Sequence, residues 1–265
     1  METTLMTVLD AFQLQGRRAL VTGGSRGLGL EMARALGEAG ADLVIVGRDA
    51  TQLADARTEL LATCQGDVSV LPGDLSEPAA AEAMCRQALA DYDAIDILIN
   101  NVGGRRINLP TEELPLADWQ KIVDLNLTQA FLCTKLIGGA MLPRKHGRVI
   151  NVASISALVA GKQMRGRTYE TTKAALAMFT KAVAADWAAS GVTVNAIAPG
   201  TFLTDANRRW FNERPELRTE IEETIPMGRL GEPREIGALA LYMASDAASY
   251  MTGSVVVIDG GRLLW

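Results

Sequence analysis

The chain has 265 residues but a single histidine, His146, and three cysteines, Cys64, Cys85 and Cys133. One imidazole excludes a histidine-based triad and a multi-histidine metal site. His146 stands in the polar stretch Pro143-Arg144-Lys145-His146-Gly147, where a solvated loop before a strand is expected. The cysteines are scattered and odd in number, so they make no disulfide framework and read as reduced thiols of a cytoplasmic protein. Positive charge is not in excess. Lys+Arg is 26 against 31 Asp+Glu, a net −5, which argues against general binding to nucleic acid or anionic membrane. Apolar runs such as 95–99 and 255–258 are far shorter than the roughly 20 residues a membrane span needs. Residues 1–6 lack a basic region and a long apolar stretch, so no signal peptide is expected. No Pro/Gly/Ser-rich linker, composition shift or internal repeat divides the chain. With 48% hydrophobic residues, one large domain is expected, with residues 1–11 as a surface extension.

What is present is a regular alternation. Short β-branched runs at 18–21, 41–46, 68–71, 95–99, 148–152, 192–196 and 254–258 read as strands. Ala-rich segments at 27–39, 50–63, 78–90, 116–141, 168–190 and 233–245 read as helices, the fourth long and continuous. An irregular region after the sixth strand holds short helices near 205–214 and 216–224. Such alternation means βαβ units and a parallel sheet covered by helices on both faces.

The first strand runs straight into Thr22-Gly23-Gly24-Ser25-Arg26-Gly27-Leu28-Gly29. Glycines 23, 27 and 29 permit a tight turn, close approach to a pyrophosphate, and close helix–sheet packing. The helix that follows then points its free N–H groups at the anion. Further on, Tyr169 and Lys173 are four positions apart, one helical turn, so both project from one face. Tyrosine is a poor acid at neutral pH, with an ordinary pKa of about 10. A unit charge about 4 Å away, at an effective dielectric near 20, supplies the roughly 4 kcal/mol needed to lower it by about three units. By itself the pair also fits an ordinary solvated helix face.

In order along the chain these motifs resemble the short-chain dehydrogenase/reductase family. Thr-Gly-x-x-x-Gly-x-Gly matches Thr22 to Gly29, and Asn-Asn-x-Gly matches Asn100-Asn101-Val102-Gly103. The helix asparagine matches Asn126, the strand-end serine Ser154, and Tyr-x-x-x-Lys Tyr169 and Lys173. Asn-x-x-x-Pro-Gly matches Asn195 to Gly200, and Asp-Gly-Gly matches Asp259-Gly260-Gly261. The resemblance runs from about residue 12 onward. It implies a single-domain Rossmann fold, α/β, with a seven-stranded parallel sheet in the order 3-2-1-4-5-6-7.

The resemblance also implies site roles. Tyr169 would exchange a proton with the substrate oxygen, Lys173 would lower its pKa and hold the nicotinamide ribose, and Ser154 would hydrogen-bond that oxygen. Asn126 would order a water relay to Lys173. Cofactor contacts would come from Gly23, Ser25, Arg26, Gly27, Leu28 and Gly29 in the first loop, and from Asp74 and Leu75 after the third strand. Asn101, Val102 and Gly103 would follow, then Tyr169 and Lys173, then Pro199, Gly200, Phe202 and Thr204. Ser154 precedes Tyr169 by fifteen positions, where the family commonly has about thirteen. Ser156 would meet that spacing, but Ser154 fits the strand-end pattern, so the rim 158–167 is expected to be lengthened.

NADP(H) is favoured over NAD(H) by charge. Family NAD enzymes usually carry an acid where Gly47 stands. Gly47 cannot repel a 2′-phosphate, whereas Arg48 and Arg26 can pair with one. Both arginines also fit a solvated surface. Asp49 is read as the N-cap of the next helix, with Gln52 completing a capping box. Arg105 and Arg106 at the mouth, with Lys162, Arg165 and Arg167, suggest a small anionic substrate, and resemble the gluconate 5-dehydrogenase branch. Solvated rim charge is the alternative. Trp210 is expected to line the pocket or to pack a substrate lid, about 201–228, onto the body. The expected activity is interconversion of a ketone and a secondary alcohol on a small polyhydroxylated acid or polyol. The alternatives are a 3-oxoacyl-carrier-protein reductase and a non-catalytic nucleotide-binding regulator. A homotetramer is expected, with no nucleic-acid, membrane or metal partner.

Overall fold

The structure is a computed structural model that describes residues 7–104, 107–161 and 167–264. Arg105, Arg106, Lys162, Arg165 and Trp265 lie outside the described residues. The strands are β1 (Arg18–Thr22), β2 (Asp42–Gly47), β3 (Val68–Pro72), β4 (Ile97–Asn100), β5 (Gly147–Val152), β6 (Val192–Pro199) and β7 (Val255–Ile258). They form one parallel sheet in the order β3-β2-β1-β4-β5-β6-β7. The order reverses between β1 and β4. The crevice at that switch point, outside the carboxyl ends of the strands, is where this class of sheet binds ligands.

The helices are α1 (Gly27–Glu38), α2 (Ala50–Leu61), α3 (Pro78–Asp91), α4 (Leu116–Val123), α5 (Gln129–Cys133) and α6 (Thr168–Trp187). After β6 come α7 (Asp205–Glu213), α8 (Pro215–Glu222) and α9 (Pro233–Ala244). Successive strand residues feed opposite layers. Ala19 and Val21 join the layer that holds Met32 and Leu36 of α1 and Ile236 and Met243 of α9. Leu20, between them, joins the layer with Met84 of α3 and Cys133 of α5. A strand buried on both sides has no polar face, which is why these runs read as continuously apolar. Each fully buried side chain of this size stabilises the fold by roughly 1.5–3 kcal/mol.

The expected continuous helix 116–141 is interrupted. Two π-helical turns, Asp124–Thr128 and Thr134–Gly138, flank α5, and a 3-10 segment, Gly139–Arg144, follows. The first widening has a local cause. Asn126 Nδ2 donates to the carbonyl of Ile122, four residues back, at 3.0 Å, so a side chain takes an acceptor of the ordinary ladder. Pro143 and the left-handed Lys145 (φ 53°) end the segment. At the amino end, Thr7–Asp10 is exposed, but Leu14 is buried and Phe12 packs on Tyr242 of α9 at 6.2 Å.

Candidate active site

A cleft of about 790 Å³ opens at the switch point. At one end it is lined by Arg48, Asp49, Gln52, Asp74 and Leu75, in the middle by Gly23, Ser25, Arg26, Gly27 and Leu28, and at the other end by Ser154, Tyr169 and Lys173.

The middle is a backbone cradle. Gly23 and Gly27 have positive φ, 63° and 57°, which other residues adopt only with strain. Gly29 lies beneath the loop. A Cβ on it would sit 2.2 Å from the Gly23 carbonyl and 2.5 Å from Asn101 Nδ2. No side chain caps α1, whose N-cap is Arg26, so its first N–H groups are left to an anion. These features fit the pyrophosphate of a dinucleotide. The loop is tied to the end of β4. Asn101 Nδ2 donates to the carbonyls of Thr22 and Gly23, both at 3.1 Å, and the Thr22 hydroxyl accepts from the N–H groups of Asn101 and Val102 at 2.9 and 3.2 Å. Thr22 is an organiser the sequence reading passed over.

At the β2 end, Arg48 and Asp74 face each other across 3.7 Å, both half-exposed. Burial pushes Asp74 upward, but bonds from the Ser76 hydroxyl and N–H and the charge of Arg48 outweigh it and hold the carboxyl below its ordinary value. Asp49 caps α2 by accepting from Gln52 N–H at 3.0 Å, as expected. The capping box is not completed as expected, since Gln52 Nε2 turns back to the Asp49 carboxylate at 3.4 Å. A Cβ on Gly47 would meet Ser25 Oγ at 3.1 Å, so the glycine leaves room for the loop.

At the other end, Lys173 is 3% exposed and its Nζ donates to the carbonyl of Val152 at 2.7 Å. Nζ lies 6.0 Å from the centroid of the Tyr169 ring. Burial lowers the Lys173 pKa to about 8, so the ammonium still predominates at neutral pH. Ser154 caps a short turn, with Oγ accepting from Ser156 N–H at 3.1 Å. Ser154 therefore faces the cleft, while Ser156 contributes its backbone to holding it. Arg167, on the rim, pairs with Glu170 at 3.2 Å.

Asn126 stands behind the cleft wall and is fully buried. Its Oδ1 accepts from Gly104 N–H at 2.9 Å and its Nδ2 donates to Gly104 O at 3.1 Å. A Cβ on Gly103 would lie 2.9 Å from both Asn126 Oδ1 and Lys173 Nζ, so the loop, the asparagine and the lysine meet at one glycine. The side chain thus clamps the loop.

Besides Gly29 beneath the loop and Asn126 behind the wall, two more expected residues are not among those lining the cleft. Phe202 is buried and packs its ring over Gly231. Trp210, 39% exposed, lies against Phe211 with ring centroids 5.6 Å apart. Pro199, Gly200, Thr204, Val102 and Gly103 do line it. From α7 the lining residues are Asp205, Ala206 and Arg209. Arg209 lies four residues after Asp205 and three after Ala206, the helical spacing that puts the three on one face.

A family profile described as enoyl-(acyl carrier protein) reductase matches residues 23–262. Galactitol 2-dehydrogenase (L-tagatose-forming) of Cereibacter sphaeroides is 38% identical over 98% of this chain and 100% of its own length. The 2-dehydro-3-deoxy-D-gluconate 5-dehydrogenase of Bacillus subtilis is 38% identical over 96% of this chain and 97% of its own. The crystal structure of a 3-oxoacyl (acyl-carrier-protein) reductase from Agrobacterium tumefaciens C58 with NADP bound superposes with a TM-score of 0.90. It is 33% identical and the match covers 98% of this chain and 99% of that one. The chain belongs to the short-chain dehydrogenase/reductase family. Like its relatives it is an oxidoreductase of CH–OH groups. Among the described residues no helix is long and apolar enough to cross a membrane, and no cluster of metal-ligating side chains occurs.

Proposed function

We propose that this dehydrogenase uses NADP(H) to interconvert a ketone and a secondary alcohol on a small polyhydroxylated acid or polyol. The observation that carries the reading is the single cleft joining a phosphate cradle to Ser154, Tyr169 and Lys173. A non-catalytic regulator would not need that set at the end of a nucleotide groove. NADP(H) is supported by Gly47 and Arg48 at the end of β2, by Arg26, and by the NADP in the Agrobacterium reductase. The nicotinamide, when bound, supplies or accepts the hydride. Tyr169 gives a proton to the carbonyl oxygen, or takes it back from the alcohol. Lys173, an ammonium at neutral pH and one turn away, favours the phenolate and holds the ribose. The Ser154 hydroxyl orients the substrate oxygen, and Asn126 keeps the 101–104 loop against both.

The polyol and sugar-acid class rests on the galactitol and gluconate-derivative relatives. Preference for an anion rests on Arg105 and Arg106, which follow Gly104 in the sequence. The carrier-protein reductase remains the second reading because of the Agrobacterium protein. A screen of NADPH oxidation with keto sugar acids, ketoses and 3-oxoacyl thioesters separates the two. Highest kcat/KM on a thioester would replace the first reading with the second. We also place the enzyme in the cytoplasm, where its free thiols stay reduced, with segment 201–228 as a substrate lid and with a homotetrameric assembly.

A further inference from the structure

The helices α7 and α8, with the single residue that joins them, carry arginines at 208, 209, 214 and 218. Three are held by carboxylates: Arg208 by Glu232 at 3.7 Å, Arg214 by Glu216 at 3.5 Å, and Arg218 by Glu222 at 2.9 Å. Arg209 has no ion-pair partner among the described residues, and it is the one that lines the cleft. Its position follows from the start of α7. Thr204 caps that helix, and its methyl lies 3.6 Å from where a Cβ on Gly27 would stand. The first turn of α7 therefore sits beside the amino end of α1, over the phosphate cradle. Ala206 and Arg209, three apart, face the cleft together, and the small Ala206 leaves the space that a long side chain can cross.

We infer that Arg209 binds the cofactor's pyrophosphate from the lid side, opposite the N–H groups of α1. This rests on the reading that the cleft holds a dinucleotide. The lid helix would then close on the cofactor by charge, and the loaded enzyme would present an ordered lid to its substrate. Asp205, one turn earlier, also lines the cleft and opposes an anion there. No ion pair joins it to Arg209, so the guanidinium remains available to a ligand.

The pyrophosphate is common to NADPH and NADH, whereas the 2′-phosphate expected at Arg48 belongs to NADPH alone. That difference makes the inference testable by binding, without turnover. Dissociation constants of both nucleotides are measured by calorimetry on the wild type, Arg209→Gln, Arg209→Lys and Asp205→Asn. Arg209→Gln should weaken both nucleotides alike, by about 10-fold, the low end for a charge-assisted bond at an exposed site. Its binding should also depend less on salt. Arg209→Lys should fall between, and Asp205→Asn should tighten both. With nucleotide saturating, proteolysis within 205–222 should be slower in the wild type than in Arg209→Gln. If Arg209→Gln binds both nucleotides as the wild type does, the inference is overturned while the cofactor reading stands. A loss confined to NADPH would assign Arg209 to the 2′-phosphate and overturn it equally. If the wild type binds neither nucleotide, the reading of the cleft itself fails.

Discussion

Lys173 carries a cost that its neighbours on α6 do not. Burial lowers its pKa to about 8, against about 10.4 for an unfolded lysine. The folded state therefore holds the proton less tightly than the unfolded one. The resulting destabilisation is complete below pH 8, fades as pH rises between about 8 and 10.4, and is gone above that. At pH 7 it amounts to about 3 kcal/mol. Lys173→Met should thus inactivate the enzyme yet raise its stability to urea at pH 7, by up to that amount, without nucleotide present. The gain should shrink between pH 8 and 10. A variant less stable than the wild type at pH 7 would show that the bond to Val152 outweighs the burial. Tyr169→Phe tests the partner. It removes only the proton donor, so turnover should fall by about 100-fold or more while NADPH affinity persists. Retention of a tenth of the wild-type rate would contradict the assignment. Arg48→Asp would replace the 3.7 Å ion pair with Asp74 by two carboxylates at the same end of the cleft. Preference should move from NADPH toward NADH, and unchanged NADPH affinity would return Arg48 to the solvated surface. Among single residues, the meeting of Ser154, Tyr169 and Lys173 at one end of the cleft was legible because the strand-end pattern and the Tyr-x-x-x-Lys motif point to them. Arg209 was not, because its meaning lies in the absence of a partner, and only the fold shows which arginines are paired.

At the scale of elements, the clearest departure from the sequence pattern is the helix broken at Asn126. Apolar spacing over 116–141 continues without interruption, and no glycine or proline marks the first π turn. The cause is a side chain that bonds both its own helix, at Ile122, and a distant loop, at Gly104. No local rule encodes such a bond. The β-strands behaved differently, because burial on both faces leaves a continuous apolar run that marks their ends to within three residues, the largest miss being β6, which runs on from 196 to Pro199. The clamp has a measurable consequence. Asn126→Ala should free the 101–104 loop, which also buttresses the glycine loop through Asn101. Hydrogen exchange at residues 101–104 should accelerate, and kcat should fall more than about 10-fold. Circular dichroism should change little, since the helix keeps its packed flanks. Exchange unchanged at that loop would show that the two bonds between Asn126 and Gly104 do not hold it.

The whole molecule leaves apolar surface that one chain does not cover. Phe131 of α5 is 43% exposed, edge-on to Phe179 of α6 at 6.1 Å, and the adjacent Met178 is 62% exposed. On the far side of the sheet β7 is an edge strand, with Val257 at its surface and Leu264 beyond it exposed. In the proposed tetramer, two separate apolar faces on one subunit would give two kinds of twofold contact, which is the requirement for a closed tetramer with three perpendicular axes. Strand order and the location of the cleft follow from one chain's own burial pattern. Assembly does not, because in the proposed tetramer the residues that complete these faces would belong to other copies. Light scattering at micromolar concentration should give four times the chain mass. Phe131→Glu with Met178→Glu places charges on one face only, so it should halve that mass to a dimer rather than reduce it to monomer. NADPH binding should survive, because neither side chain lines the cleft. A monomeric wild type would refute the tetramer, and a double variant still tetrameric would show that the α5–α6 face is not one of its contacts.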